Sequence, residues 1–268
     1  MTASDYVHGY SERENTRLRD QSQTLAQLLH HDTLYPPGAR VLEAGCGVGA
    51  QTVLLARNSP HAHFTSIDLS HDSIAAAQAA AARAGFTNVT FQAANIFELA
   101  FAEASFDHVF VCFVLEHLGR PLDALLQLKK VLKPGGTLTV IEGDHGSAFF
   151  HPDSALARRT IQCLVDLQAR AGGNALIGRQ LYPLLNRAGL RQVTISPRFV
   201  YADPSRPMWV DGFTEKTFIA MVEGVREQAL ATGMMDEATW RQGIADLRAA
   251  AGPDGTFCYT FFKGTALK

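Results

Sequence analysis

The glycine-rich segment "VLEAGCGVGAQT", residues 41–52, constrains the fold of this chain more than any other stretch. The apolar residues at its start predict a short buried strand that ends at Ala44. Gly45, Gly47 and Gly49 then permit a sharp turn and let the backbone approach a ligand without a Cβ atom in the way. A helix begins there, so its first backbone N–H groups would face the crevice above a sheet. The segment therefore predicts a ligand-binding loop between a strand and a helix.

A carboxylate at the end of the second predicted strand, His63–Asp68, supports a nucleoside ligand. In folds of this kind an acidic side chain at that place binds the 2′ and 3′ hydroxyl groups of a ribose. The glycine loop and Asp68 together predict a ligand that contains adenosine. Two such ligands remain open, because Gly45-x-Gly47-x-x-Ala50 also fits the fingerprint of enzymes that bind NAD(P).

Three neighbouring features favour S-adenosylmethionine over a dinucleotide. Glu43 lies two residues before the first glycine, where its charge suits an amino group and a sulfonium and would repel a pyrophosphate. Asn95 follows the third predicted strand, where a side-chain amide can meet adenine N6. The Tyr-x-x-x-Lys pair of short-chain dehydrogenases is missing from the corresponding region of the sequence. An oxidoreductase that uses NAD(P) therefore stays as the alternative.

Strands and helices alternate through the first half of the chain, which predicts a parallel, doubly wound sheet. The apolar runs "VFVCFV" and "LTVI" have the composition of parallel strands that are buried on both faces. The last strand, Thr256–Gly264, alternates like an antiparallel strand. The predicted fold class is α/β, a Rossmann-like, doubly wound, mostly parallel seven-stranded sheet with an antiparallel last strand and helical insertions. The first six predicted strands are Arg40–Ala44, His63–Asp68, Val89–Gln92, Phe106–Cys112, Thr137–Glu142 and Arg191–Val200.

The charge balance and the cysteines narrow the class of partners. Lys and Arg number 24, Asp and Glu number 26, and the basic residues form no run, so there is no electrostatic reason to expect nucleic acid or an anionic membrane as a partner. The four cysteines lie far apart without a C-x-x-C pair, which argues against a disulfide framework or a zinc knuckle. The opening residues have no apolar signal core, and no window has the composition of a membrane span. We therefore expect a cytoplasmic protein.

Five segments between about Tyr6 and Asp144 carry a family resemblance: "VLEAGCGVGAQT", "SIDLS", "AANIFELAF", "FDHVFVCFVLEHL" and "VLKPGGTLTVIE". In this order they resemble the successive motifs of class I S-adenosylmethionine-dependent methyltransferases of the UbiE-like branch, methyltransferase types 11 and 25. The sequence is also similar to actinobacterial enzymes that methylate indole C3 in pyrroloindoline pathways. The resemblance implies methyl transfer from S-adenosylmethionine to a small molecule, with S-adenosylhomocysteine as product.

The resemblance implies roles along the cofactor, from its methionine portion to its adenine. The three loop glycines match the segment beneath the methionine portion, Asp68 matches the ribose ligand, and Leu69 matches the residue that packs on adenine. Asn95 stands where many family members have aspartate, and it would contact the adenine edge. Ile96 would offer its backbone N–H to adenine N1.

Other matching residues lie near the methionine end of the cofactor. Cys112 and Phe113 match the end of strand four, whose backbone carbonyl meets the methionine amine. Glu116 and His117 match the polar dipeptide that begins the next helix. Tyr10 matches an N-terminal segment that folds over the cofactor.

The predicted catalytic residues follow from what methyl transfer requires. A sulfonium already carries a good leaving group, so an enzyme must align the acceptor, exclude water and, for some acceptors, take a proton. Glu142, Asp144 and His145 lie just past the predicted fifth strand, so one of them would orient or deprotonate the acceptor. In the alternative interpretation they form a polar loop at the strand end, in which Asp144 caps a turn. His117 is either a base or a structural hydrogen-bond partner.

No metal is expected, because Glu-x-Asp-His is not a standard ligand set and this branch works without a metal. Aromatic residues concentrated in the second half predict an apolar cavity for a small organic acceptor, although aromatic residues are usually core. We predict in-line methyl transfer to an aromatic or natural-product intermediate, with indole carbon as one candidate. A non-catalytic S-adenosylmethionine-binding protein and an RNA methyltransferase are the further alternatives, and a homodimer is left open. The aromatic residues are Phe149, Phe150, Tyr201, Trp209, Phe213 and Phe218.

The predicted organisation is a single domain with four regions. Residues 1–35 form an N-terminal helical lid, and residues 36–150 form the core that binds S-adenosylmethionine. Residues 151–190 form a helical segment over the active site. Residues 191–268 hold the last two strands, with a helical insertion at about 208–251.

Overall fold

Within residues 12–268, the part of the chain that this computed structural model describes, seven strands form one sheet. Neighbouring strands among the first five pair in parallel. The last strand is antiparallel to the fifth: the Lys268 N–H bonds to the Gly136 carbonyl, and the Thr260 N–H bonds to Ser147 Oγ. The predicted α/β class with a mostly parallel seven-stranded sheet is confirmed. The strands are β1 (Arg40–Ala44), β2 (His63–Asp68), β3 (Val89–Ala93), β4 (Phe106–Cys112), β5 (Leu132–His151), β6 (Arg191–Ala202) and β7 (Thr256–Leu267), in the order β3-β2-β1-β4-β5-β7-β6.

Helices connect these strands and fill the second half of the described chain. Ser70, Ser154 and Asp236 each begin a helix by accepting a hydrogen bond from the backbone N–H three residues on. Short 3-10 turns cover Leu115–His117 and Ile177–Gln180. The helices are α1 (Glu12–His30), α2 (Ala50–Asn58), α3 (His71–Arg83), α4 (Pro121–Val131), α5 (Ala155–Arg170), α6 (Leu181–Arg187), α7 (Pro207–Trp209), α8 (Ala220–Gly224), α9 (Arg226–Ala231) and α10 (Glu237–Ala249), with a π-helix at Val210–Ile219.

The chain divides into two compact units. The first, which we call the core unit, comprises Ala26–Gly143, Ile177–Pro197 and Phe262–Lys268. Its parallel strands are buried on both faces by apolar residues, as the uninterrupted apolar runs predict. In parallel pairing the carboxyl ends of β1, β2 and β4 reach the same edge of the sheet, where ligands bind in folds of this kind.

The second unit comprises the described residues up to Leu25, Asp144–Leu176 and Arg198–Phe261. Its interior holds a cluster of aromatic side chains from β7 and the π-helix. Phe213 and Phe218 are one π-helical turn apart, so both rings lie 5.5 Å from the ring of Tyr259. Of the aromatic residues that the sequence singles out in this half, Phe150, Phe213 and Phe218 are buried, whereas Phe149 and Tyr201 are exposed. The predicted division of the chain into the four regions 1–35, 36–150, 151–190 and 191–268 stays a prediction.

Strand β5 is longer than the sequence indicates, and this corrects one expectation. The predicted fifth strand covers Thr137–Glu142 and is followed by a polar loop, whereas β5 runs from Leu132 to His151. Antiparallel pairing with β7 supplies hydrogen-bond partners beyond Glu142, so polar residues stay in extended backbone. Within the predicted helical insertion at about 208–251, a π-helix and the short helices α8 and α9 precede α10, which begins after Asp236.

Candidate cofactor and active site

The glycine loop has the backbone that its sequence predicts. Gly45, Gly47 and Gly49 have φ angles of 81°, 51° and 81°, in the left-handed region that favours glycine. The Gly45 and Cys46 N–H groups both donate to the Ile67 carbonyl, at 2.8 and 2.9 Å. The loop is thus anchored to β2 just before α2 begins.

The three glycines have different steric surroundings. A Cβ atom at Gly45 would lie 2.3 Å from Val114 Cγ2, and one at Gly49 would lie 2.9 Å from Ala77 Cα. A Cβ atom at Gly47 would meet no described atom within 4 Å. Gly45 and Gly49 are therefore required by packing, whereas Gly47 faces space that a ligand can occupy.

Asp68 connects the glycine loop to α3. Its Oδ2 accepts a hydrogen bond from the Gly47 N–H at 2.8 Å, and its Oδ1 accepts one from the Ser70 N–H at 2.9 Å. Each carboxylate oxygen has a further lone pair, so the side chain can still accept two hydroxyl groups. Leu69, the next residue, is 42% exposed and offers an apolar surface at the same edge.

Asn95 and Ile96 follow β3, as predicted. Asn95 Oδ1 accepts a hydrogen bond from the Phe97 N–H at 3.0 Å, and the Asn95 carbonyl accepts one from Glu98. One lone pair of this side-chain oxygen is used in the turn, so the other lone pair can accept from an adenine amino group, and Nδ2 is a further donor. Ile96 packs partly buried against the apolar core.

Glu43 is a buried carboxyl beneath the loop. Its Oε2 accepts hydrogen bonds from Thr52 Oγ1 at 2.7 Å and Ser66 Oγ at 2.6 Å. Its Oε1 is buried and receives no hydrogen bond from any residue that the structure describes. Burial, and to a smaller degree the charge of Asp68, raise the pKa of Glu43 to about 7, against the opposing effect of the two hydroxyl donors.

Strand β4 ends in a turn that we call the β4 turn, residues 113–117. Phe113 has a φ of 57°, an uncommon conformation for a residue with a side chain, and its N–H donates to the Ile141 carbonyl at 2.9 Å. Cys112, just before it, is buried, and burial raises the pKa of its thiol. The thiol is therefore protonated at neutral pH and is not a nucleophile.

Glu142 lies beneath the β4 turn and is fully buried. Its Oε1 accepts hydrogen bonds from the Val114 N–H at 3.0 Å and the Leu115 N–H at 2.7 Å. Burial raises the pKa of Glu142 well above its usual value, and the nearby Glu116 carboxyl adds to this, while the backbone donors oppose it. The side chain supports a turn and does not lie in an open loop.

His117 ends the β4 turn. Its side chain is 16% exposed, and its Nε2 lies 3.6 Å from Glu116 Oε1. Among the predicted catalytic residues of the core unit, His117 reaches solvent and Glu142 does not.

The other two predicted catalytic residues belong to the second unit, and both are buried. Asp144 Oδ1 accepts a hydrogen bond from the Gly146 N–H at 3.0 Å. His145 Nδ1 lies 2.7 Å from Tyr259 Oη, and its ring packs edge-on against Phe218. The sequence predicts Tyr259 only as a strand residue, from its place in the alternating segment "TFCYTFFKG", and carries no local signal of its contact with His145. The structure thus places the predicted cluster in two units and does not assign it one role.

The remaining expectations concern Tyr10, a metal site and a membrane span. Tyr10 lies outside the described residues. Among residues 12–268, no group of three or more His, Cys, Asp or Glu side chains is arranged to hold a metal ion. In the same part of the chain, no helix combines the length and the apolar composition that a membrane span requires.

The sequence profile of a methyltransferase domain family matches residues 36–189, more than half of the chain. The chain therefore belongs to the methyltransferase-domain family. This confirms the resemblance to class I S-adenosylmethionine-dependent methyltransferases. The match covers the glycine loop, Asp68, Asn95, the β4 turn and β5.

Two curated relatives illustrate the similarity. An uncharacterised 37.1 kDa protein from a Streptomyces fradiae transposon is 30% identical over 220 residues, which are 81% of this chain and 59% of that protein. The 27-O-demethylrifamycin SV methyltransferase of Amycolatopsis mediterranei is 26% identical over 230 residues, 83% of this chain and 76% of that protein. For several curated relatives the chain spans only 37% to 59% of their length.

Solved structures share the fold. The Haemonchus contortus phosphoethanolamine N-methyltransferase 2 in complex with S-adenosylmethionine has a TM-score of 0.58 and 18% identity, covering 92% of this chain and 52% of that one. The cyclase SpnF has a TM-score of 0.57 and 21% identity, covering 93% of this chain and 80% of that one. At these identities the likeness concerns the fold alone.

Proposed function

We propose that the chain transfers a methyl group from S-adenosylmethionine to a small organic acceptor. The observation that carries this proposal is the glycine loop beside Asp68: a Cβ atom at Gly47 would meet no described atom within 4 Å, and the Gly47 N–H donates to a carboxylate that can still accept two hydroxyl groups. The charge of the buried Glu43 carboxyl, two residues before the loop, favours a cationic methionine end over the pyrophosphate of NAD(P). Membership in the methyltransferase-domain family supports the same choice.

The residues at the edge of the sheet fit the donor. The loop from Gly45 to Gly49 would lie beneath its methionine portion, Asp68 would accept the ribose hydroxyls, and Leu69 would cover the adenine. Asn95 and the Ile96 N–H would meet the adenine edge, and the backbone at Phe113 would meet the amino group.

When bound, the donor supplies a methyl carbon on a positively charged sulfur. The acceptor atom forms the new bond to that carbon while the carbon–sulfur bond breaks, and the departing thioether is neutral. The chain must hold the acceptor in line and exclude water. We assign proton acceptance or acceptor orientation to His117, because its ring reaches solvent and the Glu116 carboxylate at 3.6 Å would stabilise the imidazolium.

The acceptor class rests on the relatives and not on the geometry. One relative is named for an antibiotic intermediate, which favours a natural-product acceptor, and aromatic or indole acceptors remain specific candidates. A structural neighbour is named as a cyclase, so the fold by itself does not establish methyl transfer.

A metabolite library incubated with methyl-labelled donor tests the proposal directly. We expect label in a small molecule, with turnover reduced about a hundredfold or more in His117→Asn if His117 takes a proton. His63→Asn is the matched control. His63 is exposed at the amino end of β2, opposite the end that carries Asp68, so this substitution should leave turnover unchanged. Donor binding without any labelled product would favour a non-catalytic binding protein.

Donor binding is expected to release protons from Glu43 near neutral pH. Since the pKa of Glu43 is about 7 without ligand, a large fraction is protonated at pH 7. A nearby cation favours the carboxylate, so binding lowers this pKa, and affinity rises with pH until about pH 7 and then levels off. Calorimetry in buffers of different ionisation enthalpy counts the protons released.

The control for this prediction is Glu43→Gln, which should release no proton and should lose the rise in affinity with pH. Burial raises the pKa values of Cys46, Cys112 and Tyr35 and keeps these groups protonated, and Glu142→Gln is the second control, because burial raises the pKa of Glu142 as well. Equal proton release by wild type and Glu43→Gln would contradict the assignment.

A further inference from the structure

The β4 turn has an unfavourable backbone that something must hold in place. Phe113 adopts a left-handed conformation without being glycine, and a 3-10 turn follows at Leu115–His117. The first backbone N–H groups of such a turn have no partner within it, so they need acceptors from elsewhere. The turn would therefore lose its conformation without an outside contact.

Glu142 supplies that contact from β5. Its Oε1 accepts hydrogen bonds from two consecutive N–H groups, those of Val114 and Leu115, at 3.0 and 2.7 Å. The side chain is fully buried, so water cannot replace it when it is removed. Glu142 thus acts as an N-terminal cap that comes from a different strand.

The capped turn is in direct contact with the glycine loop. A Cβ atom at Gly45 would lie 2.3 Å from Val114 Cγ2, which means that the valine side chain fills the space beside the glycine. Glu142 holds the backbone of Val114, and Val114 packs against Gly45. A continuous line of contacts therefore runs from β5 to the loop that would bind the donor.

The same geometry is unfavourable for proton transfer by Glu142. An acceptor molecule must come within hydrogen-bond distance of a base, and this carboxyl is enclosed by protein: Oε1 accepts two backbone donors, and Oε2, which receives no hydrogen bond from a described residue, has no exposed surface. The Val114 and Leu115 N–H groups require only an oxygen acceptor and not an ionisable group. A glutamine side chain at position 142 would therefore serve them equally well.

We propose that Glu142 is a positioning residue, which fixes the β4 turn against the glycine loop and so sets donor affinity, and that it is not the proton acceptor. The proposal rests on the proposed function only for the identity of the ligand. The contacts themselves do not depend on which acceptor is methylated.

The test compares Glu142→Gln with Glu142→Leu. Glutamine keeps the oxygen acceptor and nearly the same shape, so S-adenosylhomocysteine affinity should stay within about twofold of wild type and any pH profile of turnover should be unchanged. Leucine removes the acceptor and leaves the Val114 and Leu115 N–H groups without it, so the dissociation constant for S-adenosylhomocysteine should rise at least about tenfold. Calorimetry measures both without knowledge of the acceptor.

Val114→Ala covers the case in which Glu142→Leu does not fold. It keeps the capping hydrogen bonds and removes the contact with Gly45, so affinity should fall by several-fold in a folded protein. Wild-type affinity in a folded Glu142→Leu or in Val114→Ala would overturn the proposal. Normal affinity in Glu142→Gln, together with turnover lower by about a hundredfold or more and a lost ionisation, would also overturn it and would indicate a base.

Amide hydrogen exchange separates this proposal from the proposed function. The Val114 and Leu115 N–H groups should be protected in wild type and in Glu142→Gln, and should exchange faster in Glu142→Leu. If wild type fails to bind S-adenosylhomocysteine but shows this exchange pattern, the proposed function fails and the capping role stands. Equal exchange in all three proteins would refute the capping role whatever the ligand.

Discussion

Replacing Asp68 with alanine is expected to weaken S-adenosylhomocysteine binding by at least about a hundredfold. A hydrogen bond to a charged acceptor contributes about 1.5–3 kcal/mol, and a ribose offers two hydroxyl groups to this carboxylate. The substitution also removes the acceptor for the Gly47 and Ser70 N–H groups, so the loop and the start of α3 lose their connection. Titration calorimetry measures the affinity, and thermal unfolding shows whether the fold survives.

Asp107→Ala is the matched control for this prediction. Asp107 also accepts a backbone N–H and a side-chain donor, from Arg40 and Lys133, but it lies near the amino end of β4, away from the loop. Its loss should lower the free energy of unfolding by about 1 kcal/mol at most and leave affinity unchanged. If Asp68→Ala binds as tightly as Asp107→Ala, the ribose does not lie at Asp68.

Gly45→Ala is expected to damage both stability and binding. A φ of 81° costs alanine about 1–2 kcal/mol, and its Cβ atom would lie 2.3 Å from Val114 Cγ2, which adds about 1–3 kcal/mol of overpacking. The loop and the β4 turn must then separate, so we expect S-adenosylhomocysteine affinity to fall at least about tenfold. Denaturant unfolding and calorimetry report the two effects separately.

The control variant is Gly85→Ala, in the same unit. Gly85 has a φ of 77°, and a Cβ atom there would meet no described atom within 4 Å, so alanine carries the backbone cost without the collision. Its affinity for S-adenosylhomocysteine should equal that of wild type. If the two variants lose the same free energy of unfolding and both keep wild-type affinity, the contact between Val114 and Gly45 has no role at the site.

The sequence predicts the sheet and the glycine loop well because their determinants are local. Glycine at 45, 47 and 49 is required by backbone conformation or close packing, which a sequence expresses directly. The apolar runs of β4 and β5 reflect burial on both faces. Asp68 lies where the end of a predicted strand places it.

What the sequence could not predict depends on long-range pairing. The polar residues after Glu142 indicate a loop, yet pairing with β7, more than a hundred residues later, keeps them in a strand. The capping of Val114 and Leu115 by Glu142 and the contact of His145 with Tyr259 join residues far apart in the chain. No periodicity marks such pairs, so the sequence singles out Glu142 as a candidate site residue but does not indicate its hydrogen-bond partners.

A calorimetric titration of the wild-type chain with S-adenosylhomocysteine, alongside NADH and NADPH, tests the central claim most directly. We expect saturable binding of S-adenosylhomocysteine at one site per chain, abolished or strongly weakened in Asp68→Ala, and no heat of binding with either nicotinamide. Binding of NADH or NADPH without binding of S-adenosylhomocysteine would contradict the assignment of S-adenosylmethionine as the ligand.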